Sequence, residues 1–181
     1  MKRAVITCVL ACYIGYSVPF VFRNVYRDNS LRWKMTQTID HPLLRGVYTT
    51  PERAEVVRGL LSELEQRVQP GDILLTYESI PMLNFITQTK PYLYNPWPIL
   101  YLPLEFTRNL EKARRERLLP IAVLAKVEMR SSSWPKSGAV NQAETAKITR
   151  SLLHTFLAEN SYKKVWENET FEILVSSQVK N

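Results

Sequence analysis

The sequence predicts an α/β domain, a small parallel or mixed sheet flanked by helices, preceded by one N-terminal transmembrane helix. Three observations predict it. Residues 4–22 form an uncharged apolar run of bilayer length. "ILLTY" (73–77) and "PIAVLAKV" (120–127) are short apolar runs of the kind shown by strands covered on both faces. Helical patterns alternate with these runs along the chain, the order expected of helices packed on a largely parallel sheet.

The N-terminal run "AVITCVLACYIGYSVPFVF" follows Lys2 and Arg3, and about 20 apolar residues at helical rise cross the hydrocarbon core. No A-x-A-like pattern precedes the polar region, so an uncleaved helix is expected rather than a secretory signal. "VLAC" faintly resembles a lipoprotein signal, but residues 13–22 would leave an apolar tether after the cysteine. A buried soluble helix would be poorly served by Gly15 and Pro19. Basic residues flank both ends, with Arg23, Arg27, Arg32 and Lys34 on the far side; counted alone they would put the large domain in the cytoplasm. The expected division is a transmembrane segment over 1–23, a juxtamembrane connector over 24–46 with Tyr26 and Trp33 placed for the interface, and a soluble α/β domain over 47–177.

The ordered region opens at "TTPERAEVVRGLLSELEQRVQPGD". Thr50 is placed to cap a helix, Pro51 to occupy its first position and Pro70-Gly71 to stop it. Val57, Leu60, Leu61, Leu64 and Val68 make the buried stripe. Strand 73–77 follows, then a stretch without helical period, "YESIPMLNFITQTKPYLYNPWP", and a helix from about 104 to 117. After the second strand "SSSWPKSG" reads as a loop. "NQAETAKITRSLLHTFLAEN" reads as a helix with Ile148, Leu152, Phe156 and Leu157 on one side. The chain closes with two strands turning at Asn168-Glu169, with Phe171, Ile173 and Val175 on one face.

The formal net charge of +7 comes from the juxtamembrane cluster and from "RNLEKARRER" at 108–117. Such charge suits anionic lipid surfaces or phosphate-bearing ligands, and the apolar N-terminus makes nucleic acid the weakest partner class. Glu105, Glu111 and Glu116 also let the second cluster read as a solvated helix face. Cys8 and Cys12 are the only cysteines, both in the apolar run, so the soluble part can form no disulfide of its own. With His41 and His154 as the only histidines, no zinc site is expected. Five glycines form neither a dinucleotide fingerprint nor a P-loop, so no cofactor is expected. Asn168-Glu169-Thr170 matches a glycosylation acceptor of a length that chance often supplies.

Ligands of open α/β sheets bind beyond the carboxyl ends of the strands. That puts Tyr77, Glu78 and Ser79 at the rim of one strand and Lys126, Glu128 and Arg130 at the rim of the other. Glu78 directly follows a buried strand, where a carboxyl can move protons if buried or bind a cation or sugar hydroxyls if exposed. Lys90, Tyr92, Tyr94, Asn95, Trp97 and Tyr101 form a second group, whose aromatic faces and polar donors suit sugars, lipid head groups and phosphates. Rings of a proline-braced loop also pack on their own domain.

Three phrases, "VYTTPERAEVVRGLL", "VQPGDILLTYESIPMLNFITQTKPYLYNPWP" and "LPIAVLAKV", stand in that order after a hydrophobic helix. Together they resemble the C-terminal extracytoplasmic region, with the last membrane helix, of bacterial polytopic glycosyltransferases of the GT-C type. The resemblance spans nearly the whole chain, through Ser176. It implies a polyprenyl-phosphate sugar or an envelope glycan as ligand, an extracytoplasmic domain on the inner membrane, and a role in assisting glycosyl transfer. The family's catalytic acid lies in a loop between early membrane helices, which a single apolar segment does not supply, so no catalytic residue carries over. Two other expectations stand beside it: an interaction module docking on a polytopic membrane protein, and a small enzyme using Glu78 with Lys126 or Lys90.

Overall fold

The structure, a computed structural model, describes residues 2–23, 31–127, 129, 134 and 144–178. It is mixed α/β, with a five-stranded mixed sheet flanked by helices and one apolar N-terminal helix. That helix, α1 (Lys2–Arg23), runs through Pro19. Its apolar window, Ala4–Arg23, is long and apolar enough to cross a membrane and none of it is buried.

The chain then pairs β1 (Gln37–Thr38) antiparallel with β2 (Tyr48–Thr49). Between them Ile39 and Leu44 sink into the core beside α2 (Pro51–Glu65), so the stretch read as a connector joins the domain from Ile39 onward. Thr50 caps α2 by accepting the Arg53 amide, and Pro51 begins it. Ala54, Val56, Leu60, Leu61 and Leu64 are its buried face, and Val57 lies at the margin.

The sheet is built on β3 (Ile73–Tyr77) and β5 (Ile121–Ala125), parallel and adjacent, with Leu74 opposite Ile121 and Tyr77 opposite Leu124. Its order is β4-β3-β5-β7-β6. The short β4 (Lys90–Pro91) extends the parallel half, while β7 (Phe171–Ser176) runs antiparallel to both β5 and β6 (Tyr162–Glu167). Both central strands are almost wholly buried because each face is covered. Leu74, Val123 and Ala125 face α2, whereas Leu75, Tyr77, Ala122 and Leu124 face α4 (Pro103–Glu116) and α5 (Glu144–Glu159).

The aperiodic stretch after β3 turns back on itself. Glu78 takes a left-handed backbone, with φ of 77°, and α3 (Met82–Ile86) returns the chain to the start of β3, where Lys90 pairs with Ile73. A helix of five residues and a strand of two are too short to impose a period. Hydrogen bonds hold the return instead: the Thr76 hydroxyl donates to Asn84 Oδ1 at 2.8 Å, and Asn84 Nδ2 donates to Thr89 at 3.2 Å.

In α5 the buried face is Thr149, Leu153, Phe156 and Leu157, and Ile148 is 44% exposed. The face is therefore rotated from the one read off the apolar residues. Thr149 is drawn inward by its 2.8 Å hydrogen bond to the Tyr77 hydroxyl, which leaves Ile148 outside.

The β6–β7 turn falls at Asn168 as the sequence indicates. Asn168 Oδ1 accepts the amides of Thr170 and Phe171, and its Nδ2 donates to the Val56 carbonyl of α2 at 3.1 Å. The acceptor-like tripeptide thus has its asparagine engaged in the turn. Substituting Asn168→Ala removes a turn brace and a sheet-to-helix bond together, and each such bond contributes about 1 kcal/mol net. Urea unfolding of the full chain should show a loss of about 2 kcal/mol; an unchanged midpoint would mean that the turn holds without its side chain.

Candidate functional site

The three long helices of the domain run antiparallel to the parallel strands, so their amino ends gather at the carboxyl end of β3 and β5. Phe106, near the start of α4, packs edge-on against Tyr77. Arg117, at its close, donates to the Pro91 and Tyr92 carbonyls, at the amino half of the sheet. Thr149 and Arg150, early in α5, meet Tyr77, Glu78 and Ala125.

Glu78 is the buried acid of this rim. Its residue is 3% exposed, and Oε1 lies 3.1 Å from Arg150 Nη2, which also donates to the Ala125 carbonyl at 3.0 Å. One guanidinium thereby joins the ends of both central strands to α5. The Arg150 side chain is 30% exposed, so the pair is closed on the acid side and open on the basic side. The positive φ at Glu78 is uncommon for a residue with a Cβ and costs on the order of 1 kcal/mol or more, a feature that collects at ligand rims and switch points. Arg150 carried no signal of its own in the sequence, since it stands among ordinary exposed positions of a helix.

Beside this pair, Lys126 reaches Glu167 at 3.1 Å, and Lys164 reaches the same carboxylate at 2.7 Å. Hydrogen bonds from Lys164 and then Lys126 hold the Glu167 carboxyl below its usual range. Trp134 lies over Arg53 of α2, at 4.7 Å from guanidinium to ring, and its carbonyl accepts from Arg53 Nε. Glu128 and Arg130, named with this rim, lie outside the described residues.

The second candidate group is not brought together with Glu78. Lys90 is exposed but sits opposite Ile73, five residues before Glu78, which is roughly 16 Å away along a strand. Tyr94, also at positive φ, is bracketed by Lys112 and Arg117, at 4.7 and 3.9 Å from its ring, and donates to Glu116 at 2.6 Å. Partial desolvation first, then that hydrogen bond, raises its phenol. Asn95 accepts the Trp97 amide at 2.8 Å, closing a local turn, and the Tyr101 hydroxyl donates to the Leu93 carbonyl. Trp97 remains 38% exposed. Tyr92 is fully buried against Phe156. Apart from Lys90 and Trp97, this group packs or braces its own loop.

The amino end of the sheet has a feature that the sequence did not signal, a cleft of about 390 Å³ lined by His41, Leu43, Leu61, Val68, Ile86 and Gln88 among others. His41 Nδ1 accepts the Leu43 amide there. The cleft holds no convergent charged pair, and the chemistry lies at the other end. Among the described residues no group of three or more His, Cys, Asp or Glu is arranged to hold a metal ion. No family model, curated protein or solved structure matches the chain.

The Tyr92 hydroxyl has no hydrogen-bond partner among the described residues, and burial raises its phenol from 10.0 to about 12. Burial also raises Tyr77, and Tyr162 rises for the same first reason. The unfolded chain releases these protons near pH 10 while the folded chain retains them, so stability is full below pH 10 and falls as pH rises towards 12. Denaturant midpoints should be flat from pH 7 to 9 and decline above 10. Removing an unpaired buried hydroxyl is neutral or stabilising by about 1 kcal/mol, so Tyr92→Phe should match or exceed the parent at pH 8 and decline less steeply in alkali. A loss of more than about 1 kcal/mol in Tyr92→Phe would show that the hydroxyl is a working hydrogen-bonding group.

Proposed function

We propose that this chain is a single-pass protein of the inner (cytoplasmic) membrane whose extracytoplasmic α/β domain assists glycosyl transfer by binding an envelope glycan or its polyprenyl-phosphate carrier, without complete catalysis of its own. The observation that carries the reading is the unburied apolar helix, Ala4–Arg23, leading into an α/β domain. The three phrases that resemble the terminal region of GT-C glycosyltransferases supply the ligand class. On this reading the carboxyl rim is the binding edge: Lys126, just past β5, and Arg150, in the second turn of α5, present partly exposed cations suited to a phosphate. Trp97 offers a partly exposed ring to a sugar or an isoprenoid.

Two features argue against an autonomous enzyme. Glu78 is already answered by Arg150, which suits a structural acid better than a proton donor. Lys90, one of its expected partners, stands roughly 16 Å along the strand from it.

The test uses full-length protein in nanodiscs, titrated with a polyprenyl-phosphate sugar. Lys126→Ala and Trp97→Ala should each weaken binding tenfold or more, about 1.4 kcal/mol, while Lys90→Ala binds like the parent. The parent should also stay with membranes through high salt and carbonate, because apolar insertion is not screened. Absence of binding by the parent would defeat the glycan-carrier reading, and release by salt alone would defeat the anchor.

A further inference from the structure

The stretch from Trp97 to Leu104, "WPILYLPL", carries more exposed apolar side chains than the packing of the domain explains. Leu100, Leu102 and Leu104 are 59, 66 and 64% exposed, and Trp97 is 38% exposed. Its neighbours are buried: Pro98 lies under the loop, and Phe106 is fully enclosed two residues after Leu104. The loop is thus held from beneath while its leucines point outward. Leu102 forms the cap of α4, its carbonyl accepting the Phe106 amide at 2.8 Å, and Phe106 rests on Tyr77, the last residue of β3. The exposed leucines therefore lie at the carboxyl end of the sheet.

The path from the apolar helix enters the domain at the same end. Gln37, the first residue of β1, pairs with Thr49, which adjoins the Thr50 cap of α2. The early turns of α2 are tied by the Asn168–Val56 bond to the β6–β7 turn, and β7 starts opposite Ala125, the last residue of β5. From Arg23 to Gln37 is fourteen residues of chain, at most about 50 Å when fully extended. A helix in a bilayer is thus joined to the domain at its carboxyl end, and the chain runs to the lipid surface from that end.

We propose that the segment Trp97–Leu104 is a membrane-docking loop that seats the carboxyl rim of the sheet on the bilayer spanned by α1. Leucines beside a tryptophan suit the boundary between head groups and acyl chains. Exposed Arg108, Arg32 and Lys34 add cations that anionic head groups favour. Towards the opposite end the exposed apolar residues among those described stand apart in the chain: Leu118, 87% exposed after α4, is flanked by Arg117 and the half-buried Leu119, and Leu43 and Phe85, 38 and 58% exposed, lie on separate short helices. The inference rests on the membrane-anchor part of the proposed function and shares only Trp97 with its glycan part. Its consequence for that part is that a ligand reaching Lys126 and Arg150 arrives along the membrane plane.

The experiment places single cysteines at Leu102, Leu104 and Leu118 of the full chain, in a background carrying Cys8→Ser and Cys12→Ser. Each is labelled with an environment-sensitive fluorophore and reconstituted into phosphatidylcholine–phosphatidylglycerol vesicles with lipids spin-labelled near the head group. All three positions are exposed, so labelling leaves the core intact. The expected result is blue-shifted emission at 102 and 104 with at least about twofold quenching by the spin-labelled lipid, and water-like, unquenched emission at 118. Water-like emission at all three positions, or quenching at 118 alone, overturns the proposal. A blue shift at 102 and 104 without lipid quenching also overturns it, in favour of a protein or a second copy covering the loop. Flotation of the same vesicles after carbonate separates the two readings: floating samples with water-like probes defeat the docking loop alone, and samples that fail to float defeat the anchor together with it.

Discussion

A carboxylate buried at the end of a parallel strand must be answered, because its desolvation outweighs most single contacts nearby. Here Arg150 answers Glu78, and the same guanidinium takes the Ala125 carbonyl where the neighbouring strand ends. Much of the domain follows from that placement. α5 must present Arg150 and Thr149 at the carboxyl end and so must run antiparallel to β3 and β5. Its buried face becomes Thr149, Leu153, Phe156 and Leu157, and the chain returns at the amino end, where the Tyr162 hydroxyl donates to the Pro120 carbonyl and β6 begins. The left-handed turn at Glu78 in turn directs the following stretch back along β3 rather than out into solvent.

The two ends of the sheet consequently differ in chemistry. At the carboxyl end stand Glu78, Arg150 and Lys126, with Arg53 under Trp134 and the exposed leucines at the start of α4. At the amino end Tyr94 is stacked under Arg117 and Lys112, Tyr92 is sealed, and the cleft beside His41 is lined largely by apolar and amide groups.

The architecture was legible in the sequence to the extent that its elements were long or strongly patterned. The Thr50-Pro51 start of α2, the two continuous apolar strands, the order of the helices and the turn at Asn168 all carry local signals, and each stands where those signals put it. What was not legible depends on contacts between distant residues. The face of α5 is set by Thr149 and Arg150 reaching β3 and β5, and a count of apolar residues instead selected Ile148. The fold-back after β3 depends on Thr76, Asn84 and Thr89 bonding one another over elements too short to show a period. Of the site, Glu78 was marked by its position after a buried strand, but its partner was not, and Lys90 was grouped with it only because the intervening turn hides a return of the chain.

The most direct test of this account is a double-mutant cycle on the pair at the rim, with Glu78→Gln, Arg150→Met and the double variant compared by urea unfolding of the full chain. Removing either partner alone from such a pair should cost about 3 kcal/mol, the low end of the range for buried pairs because Arg150 is partly open to solvent. The double variant should lose about 4 kcal/mol rather than the additive loss of about 6 kcal/mol, a coupling of about 2 kcal/mol. Additive losses, with coupling below about 0.5 kcal/mol, would contradict the account: the strand ends would then be held by their apolar packing, and the pair at the rim would be a consequence of the fold rather than its constraint.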